Sequence, residues 1–383
     1  MQTLHHPLPS QAIGSQRTLT RLQFGASDAH PKVYIQASLH ADELPGMLLA
    51  HHLRPLLQEA EAAGRLRGQV VLVPIANPIG LDQTLLHSQL GRFELASGQN
   101  FNRSYPEMVD WLLEDGHDIS PQLSADAEAN TRVIRHAIQA ALDRHPPRTE
   151  LEGLRHTLLR WACDADVVLD LHCDFEAAVH LYTEPACLEA LQPLAAWLGA
   201  KAVLVAEGSG GRCFDEVLSG VWWQLRQGLH RRWGAAWVQA RPIPQGCAST
   251  TLELRGQTDV CHELAQADAQ ALMHYLTHLG VLAGACPPIP PLPCTPTPLA
   301  GTQVLTAPHA GVLAYHLEPG AEVAQGQTVA DVINPITGDT TPIKATQTGV
   351  LYARHIVRWA TTGLEIGKIS GHQALRSGYL LGA

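Results

Sequence analysis

The sequence is short of the features that mark several protein classes. None of its eight cysteines forms a Cys-x-x-Cys pair, and a chain this long needs no disulfide framework, so reduced thiols are expected. No uncharged apolar run reaches the ~18 residues of an ordinary membrane span. Basic residues are outnumbered, 26 Lys and Arg against 36 Asp and Glu, for a formal charge of −10. That balance argues against a nucleic-acid binder or a basic membrane-surface protein. The first residues show no basic flank followed by an apolar core, so a secretory signal is not expected and a cytoplasmic location is. What remains is a globular composition, 45% hydrophobic and 16% charged over 383 residues. This is enough for one large domain and a small one.

Short apolar runs alternate with helical spacing through most of the chain. Lys32–Leu39, Gln69–Pro78, Asp166–Leu171, His180–Thr183, Ala202–Ala206, Ala236–Gln239 and Ser249–Leu254 read as strands. Helices are expected from Pro45, where a missing N–H does no harm in a first turn, and over Asn130–Leu142, Leu188–Leu198, Phe214–Leu229 and His262–Leu279. The alternation predicts an α/β domain, a mostly parallel or mixed sheet flanked by helices, over residues 1–285. A proline-rich stretch at 286–300, CPPIPPLPCTPTPLA, reads as a stiff linker. Beyond it, 301–383 changes to glycine-punctuated β segments with an internal echo, Gly311-Val-Leu and Gly349-Val-Leu. This part resembles the barrel-sandwich fold of biotinyl and lipoyl carrier domains. A carrier needs a lysine at its hairpin tip, and here Thr337-Gly338 stands there with Lys344 away from it, so a non-carrier domain is expected.

In sheets of this kind, ligands gather beyond the carboxyl ends of the strands. His40 and Glu43 lie where a strand gives way to a helix and suit a zinc ion that needs one more protein ligand. The plain alternative is a surface histidine beside a helix-capping acid. His172 ends the strand Asp166–Leu171 and is the best third ligand, with Asp170 on the same side of the strand to orient it. The alternatives are a polar loop or a site using Cys173, a thiol that should point away from its ligating neighbour. Glu253 is a carboxylate in an otherwise apolar strand, an expensive placement without a role. It is the candidate general base, with a salt bridge to Arg255 or outward alternation on an edge strand as alternatives. Arg92, Asn102 and Arg103 lie in the long polar stretch Leu81–Pro106. They suit an oxyanion and a substrate carboxylate, or are simply solvated.

Taken together, His40-Ala-Asp-Glu43, GRFELASGQNFNRSYP, Asp170-Leu-His172 and Thr251-Leu-Glu253 resemble the succinylglutamate desuccinylase/aspartoacylase family of the zinc carboxypeptidase-like superfamily. The resemblance covers roughly residues 30–280 in motif order. It implies one zinc ion at His40, Glu43 and His172, and Glu253 as general base and acid. Arg92 would polarise the scissile carbonyl, while Asn102 and Arg103 would hold a substrate carboxylate. The implied reaction is hydrolysis of a small N-acyl amino acid-like amide, with a peptide-cleaving carboxypeptidase and a non-catalytic binder as rivals. Homo-oligomer formation is left open. Two departures concern the substrate rather than the metal. Ala41 stands where Gly is usual, and Phe101 precedes Asn102-Arg103 where Leu is frequent.

Overall fold

The computed structural model describes residues 1–114 and 116–382. Its centre is a nine-stranded mixed sheet. In spatial order the strands are Gln2–Pro7, Thr18–Phe24, Gln69–Val73, Lys32–Ala37, Val167–Asp174, Ala248–Gly256, His180–Thr183, Ala202–Val205 and Thr297–Pro298. The four strands from Gln69–Val73 to Ala248–Gly256 run parallel, and antiparallel neighbours flank them.

The period-two alternation of these strands divides the interior in two. Val33, Ile35, Leu169, Leu171 and Leu252 face helices Pro45–Ala62, Leu188–Trp197 and His262–His278. Tyr34, Val71, Val73 and Val168 face Ala127–Arg144, Glu150–Ala162 and Phe214–Trp233. On this second face the apolar series stops short of the carboxyl ends. Gln36, Asp170 and Thr251 form one row across the sheet, and His172 and Glu253 pair in the next.

Two antiparallel sheets follow. One runs Gln303–Thr306, Glu365–Ile369, Gly349–Arg354, Ala321–Val323; the other runs Thr340–Lys344, Thr328–Ile333, Gly311–Tyr315, Trp359–Ala360. They enclose their own core of Leu305, Leu313, Val329, Val332, Leu351 and Ile366. This β region is joined to the rest by more than chain connectivity, because Glu176–Ala177 pairs with Gly349–Arg354. The hairpin tip between Ile333 and Thr340 carries Thr337 and Gly338, the latter at φ +81°, and Lys344 ends the following strand.

Two expectations are corrected. Ala235–Gln239 is a short helix, not a strand. It follows Gly234, whose φ of +84° ends the preceding helix and turns the chain. None of its residues is buried, so its β-prone side chains have no sheet to pack against. The proline-rich stretch is not wholly a linker, since Thr297–Pro298 forms the outermost strand of the large sheet, an edge where proline costs no ladder bond. The long polar stretch at 81–106 contains a small hairpin, Thr84-Leu85 with Ser88-Gln89. No helix among the described residues is long and apolar enough to cross a membrane.

Candidate functional site

The site is assembled at the carboxyl ends of the three central parallel strands. Ser38, at φ +60°, turns the chain out of its strand, and its hydroxyl donates to the carbonyl of Glu43, closing a tight loop over His40–Glu43. His40 Nδ1 lies 3.0 Å from Glu43 Oε1, and His172 Nδ1 lies 2.7 Å from Glu43 Oε2. All three side chains are buried, and one ligand atom from each lies within 4.8 Å of the others. The surface-histidine and polar-loop alternatives therefore do not hold.

The far side of each imidazole is held as well. His40 Nε2 lies 2.9 Å from Asn100 Oδ1, which also accepts from the Asn102 N–H, so the amide is oriented and the proton belongs on Nε2. Nδ1 is then free to ligate. Asp170 Oδ2 lies 3.1 Å from His172 Nε2, though without hydrogen-bond alignment. Behind it, Tyr34 donates to Gln36 and Gln36 donates to Asp170 Oδ1, each at 2.9 Å. Cys173 stays outside the cluster. Burial pushes its thiol far above the usual range, and its backbone N–H donates to Glu43 Oε2 at 3.2 Å.

Electrostatics fit a bound cation. Burial, and then the charge of Arg92, lower His40 to about 4, leaving a neutral imidazole with a lone pair to give. Burial opposes charge on His172 and Glu43 too. Asp170 and Glu43 nonetheless raise His172 well above its ordinary value, while His40 and His172 hold Glu43 well below its own. Burial, reinforced by Glu43, pushes Glu253 up to about 8. A surplus of carboxylates around two imidazoles is what a divalent ion neutralises, and a His-Glu-His donor set leaves an open position for chemistry.

Glu253 faces this cluster by register, as the parallel-strand partner of His172. Its Oε2 is shielded from solvent and has no hydrogen-bond partner among the described residues. Neither alternative for it survives. Arg255, at φ +66° in an irregular end of the strand, turns away and pairs with Asp268 at 2.7 Å, and the strand is internal to the sheet. Arg92 Nη2 donates to Glu43 Oε1 at 3.1 Å. Asn102 is committed at both ends, its Oδ1 accepting from the Phe214 N–H at 2.8 Å and its Nδ2 lying 3.3 Å from His172 Nε2. Arg103 donates to the carbonyls of Asn102 at 2.8 Å and Gly382 at 2.6 Å, and to Cys213 Sγ at 3.3 Å.

All seven residues except Glu43 line one cavity of about 400 Å³, whose other wall comes from the β region through Arg354, His355, Leu364 and Lys368. Sequence reasoning missed Asn100 and this second wall. Asn100 had a signal, since it stands two residues before Asn102 in the same extended stretch. The wall had none, because its residues lie more than 100 positions beyond the last of the site motifs, Thr251-Leu-Glu253.

A helix-flanked mixed sheet with a buried His-Glu-His cluster, capped by a C-terminal β region, is the framework of a hydrolase of the deacylase type. The chain belongs to the succinylglutamate desuccinylase/aspartoacylase family, whose catalytic-domain model matches residues 29–279. Among solved structures it is similar to a protein ascribed to this family from Shewanella amazonensis, at 26% identity and TM-score 0.82, over 97% of this chain and 98% of that one. It is also similar to one from Shewanella frigidimarina, at 24% identity and TM-score 0.81, over 96% of each chain. The product-bound ectoine utilization protein EutE (DoeB) from Ruegeria pomeroyi shares the fold at 16% identity and TM-score 0.63, over 97% of this chain and 95% of that one. No curated protein sequence matches the chain.

Proposed function

We propose that the protein is a zinc-dependent amide hydrolase that releases a carboxylic acid and an amine from a small N-acyl amino acid. The observation that carries this reading is the pairing of His172 with Glu253 across two parallel strands, which puts beside the His-Glu-His cluster, in the same cavity, a carboxylate whose Oε2 has no partner among the described residues. His40, Glu43 and His172 would hold a zinc-type ion, which would supply a Lewis acid and lower the pKa of water. Glu253 takes the proton of the attacking water as the new C–O bond forms. The same carboxyl then gives that proton to the leaving nitrogen as the C–N bond breaks. Arg92 donates to the carbonyl oxygen as it gains charge. Arg103 receives the carboxylate of the amino acid, and Asn102, fixed between His172 and Phe214, sets the position of that guanidinium.

A cavity walled at one end by the β region favours a small amide over a peptide, which needs an extended cleft. Metal analysis followed by a screen of N-acyl amino acids, scored by free amine, tests the proposal. One divalent ion per chain and turnover of at least one such amide is the expected result. Cleavage of peptides alone would replace the deacylase reading with the carboxypeptidase one, and a protein that neither holds metal nor hydrolyses either class would be a binder.

A further inference from the structure

The two ends of the cavity differ in charge balance. At one end Arg103 meets only neutral acceptors among the described residues: two carbonyls and a thiol. At the other end the β region lines the cavity with two cations, Lys368 and Arg354, and each already meets a carboxylate. Lys368 Nζ lies 2.8 Å from Asp174 and 3.6 Å from Glu365. Arg354 lies 2.6 Å from Glu176 and 2.7 Å from Glu318, and Arg358 shares Glu176 at 2.7 Å. Asp174, Glu365 and Glu253 line the cavity with these two cations, while Glu176, Glu318 and Arg358 pair with them or with one another outside its lining. The remaining surface there is carbon-rich, supplied by Phe175, Tyr182, Ala353 and Leu364, with His355 packed on Phe175 at 4.6 Å between ring centroids.

We infer that this end receives the acyl group and selects neutral, hydrocarbon acyl groups against those that end in a carboxylate. The inference rests on the deacylase reading above and narrows it. An amino-acid carboxylate goes to Arg103, the cation with no carboxylate partner among the described residues. The acyl group must then lie toward Asp174 and Lys368. A succinyl-type carboxylate arriving there finds no unmatched cation. It either displaces Asp174 or Glu176 from its partner or stays buried beside like charge, and both are unfavourable. A hydrocarbon chain leaves the ion pairs intact and covers the aromatic and aliphatic surface. The paired cations therefore act as a rejecting element rather than an attracting one.

The test uses the full-length, metal-loaded protein and matched substrates: the 4-methylpentanoyl derivative of each amino acid against its succinyl derivative, which has nearly the same shape. The neutral member should have the higher kcat/KM by at least about ten-fold. Equal rates, or a preference for succinyl, overturn the inference while leaving the deacylase reading standing. Failure to hydrolyse any N-acyl amino acid, acetyl derivatives included, removes both. Asp174→Asn leaves Lys368 with Glu365 alone and should move the ratio toward succinyl by about ten-fold. Glu176→Gln, which strips Arg354 and Arg358 of a shared partner, should move it the same way, and provides the check if Asp174→Asn does not fold. A ratio unmoved in a folded variant of either kind overturns the assignment.

Discussion

The large sheet and the β region bury polar side chains in opposite ways. In the β region the buried polar groups are neutral and met locally. Gln303 donates to the Lys344 carbonyl and accepts from the Thr346 N–H, Ser370 accepts from the Val350 N–H, and Thr302 accepts from Tyr352. On the second face of the large sheet, Asp170, His172 and Glu43 are charged or chargeable and buried, and Glu253 Oε2 has no partner among the described residues. Buried polar groups of the first kind specify a fold. Groups of the second kind cost stability unless something absent from the chain balances them, and that cost marks a site. The same contrast predicts where substitutions will harm turnover and where they will harm only stability.

The largest effect is expected at the charged face. His172→Ala should lose the metal, leaving less than about a tenth of an equivalent after dialysis, and should abolish turnover, because it removes one of three protein ligands. Full retention of metal would break the contrast at its strongest point. Glu253→Gln is predicted to keep the metal yet lose about 10²–10⁴-fold in kcat, the usual contribution of a positioned proton-transfer group. Metal content and kcat measured on the same preparation separate the two.

The pH profile sharpens that assignment. A base acts when deprotonated, so kcat/KM should fall as pH drops through the pKa of Glu253. Burial and then Glu43 raise that value from 4.5 to about 8, and a bound cation draws it back down, so the acid limb should lie between those limits. A limb at or below 4.5 would mean that some other group is titrating. Arg103→Ala should raise KM by about 10–100-fold for substrates with a free carboxylate, the scale of a lost charge-assisted pair, while leaving metal content intact. An unchanged KM would remove Arg103 from substrate binding.

How much of this was legible in the sequence follows from what each feature depends on. The ligands could be found because a strand end fixes where His40 and His172 stand, and period-two alternation places Asp170 beside His172. Glu253 stood out as a carboxylate among apolar neighbours, but its pairing with His172 is a matter of register between distant strands. The commitment of both ends of Asn102, and the positive φ of Ser38 and Arg255, depend on tertiary packing that no local pattern encodes. The helix Glu150–Ala162 and the strands Gln2–Pro7 and Thr18–Phe24 were not anticipated. The first strand is nearly all exposed, so it carries no apolar alternation to read. The cavity wall from the β region was out of reach for the same reason as the register, since it is built by docking.

The smallest effect tests the other half of the contrast. Gln303→Ala removes the partner of the Thr346 N–H, a 2.7 Å bond, and of the Lys344 carbonyl, a longer one at 3.3 Å. Lys344 and Thr346 are exposed residues whose freed groups water can meet, so the loss should cost about 0.5–1.5 kcal/mol, read as a drop in Tm or in the denaturant midpoint. Neither group faces the cavity, and Gln303 lies on the far strand of its sheet, beyond Glu365–Ile369. Turnover per folded molecule should therefore stay within about two-fold of the parent, because no interaction made in the transition state has been removed. A large fall in kcat with stability unchanged would mean that the buried polar groups of the β region serve the reaction. The division between a fold-specifying interior and a chemistry-bearing one would then fail.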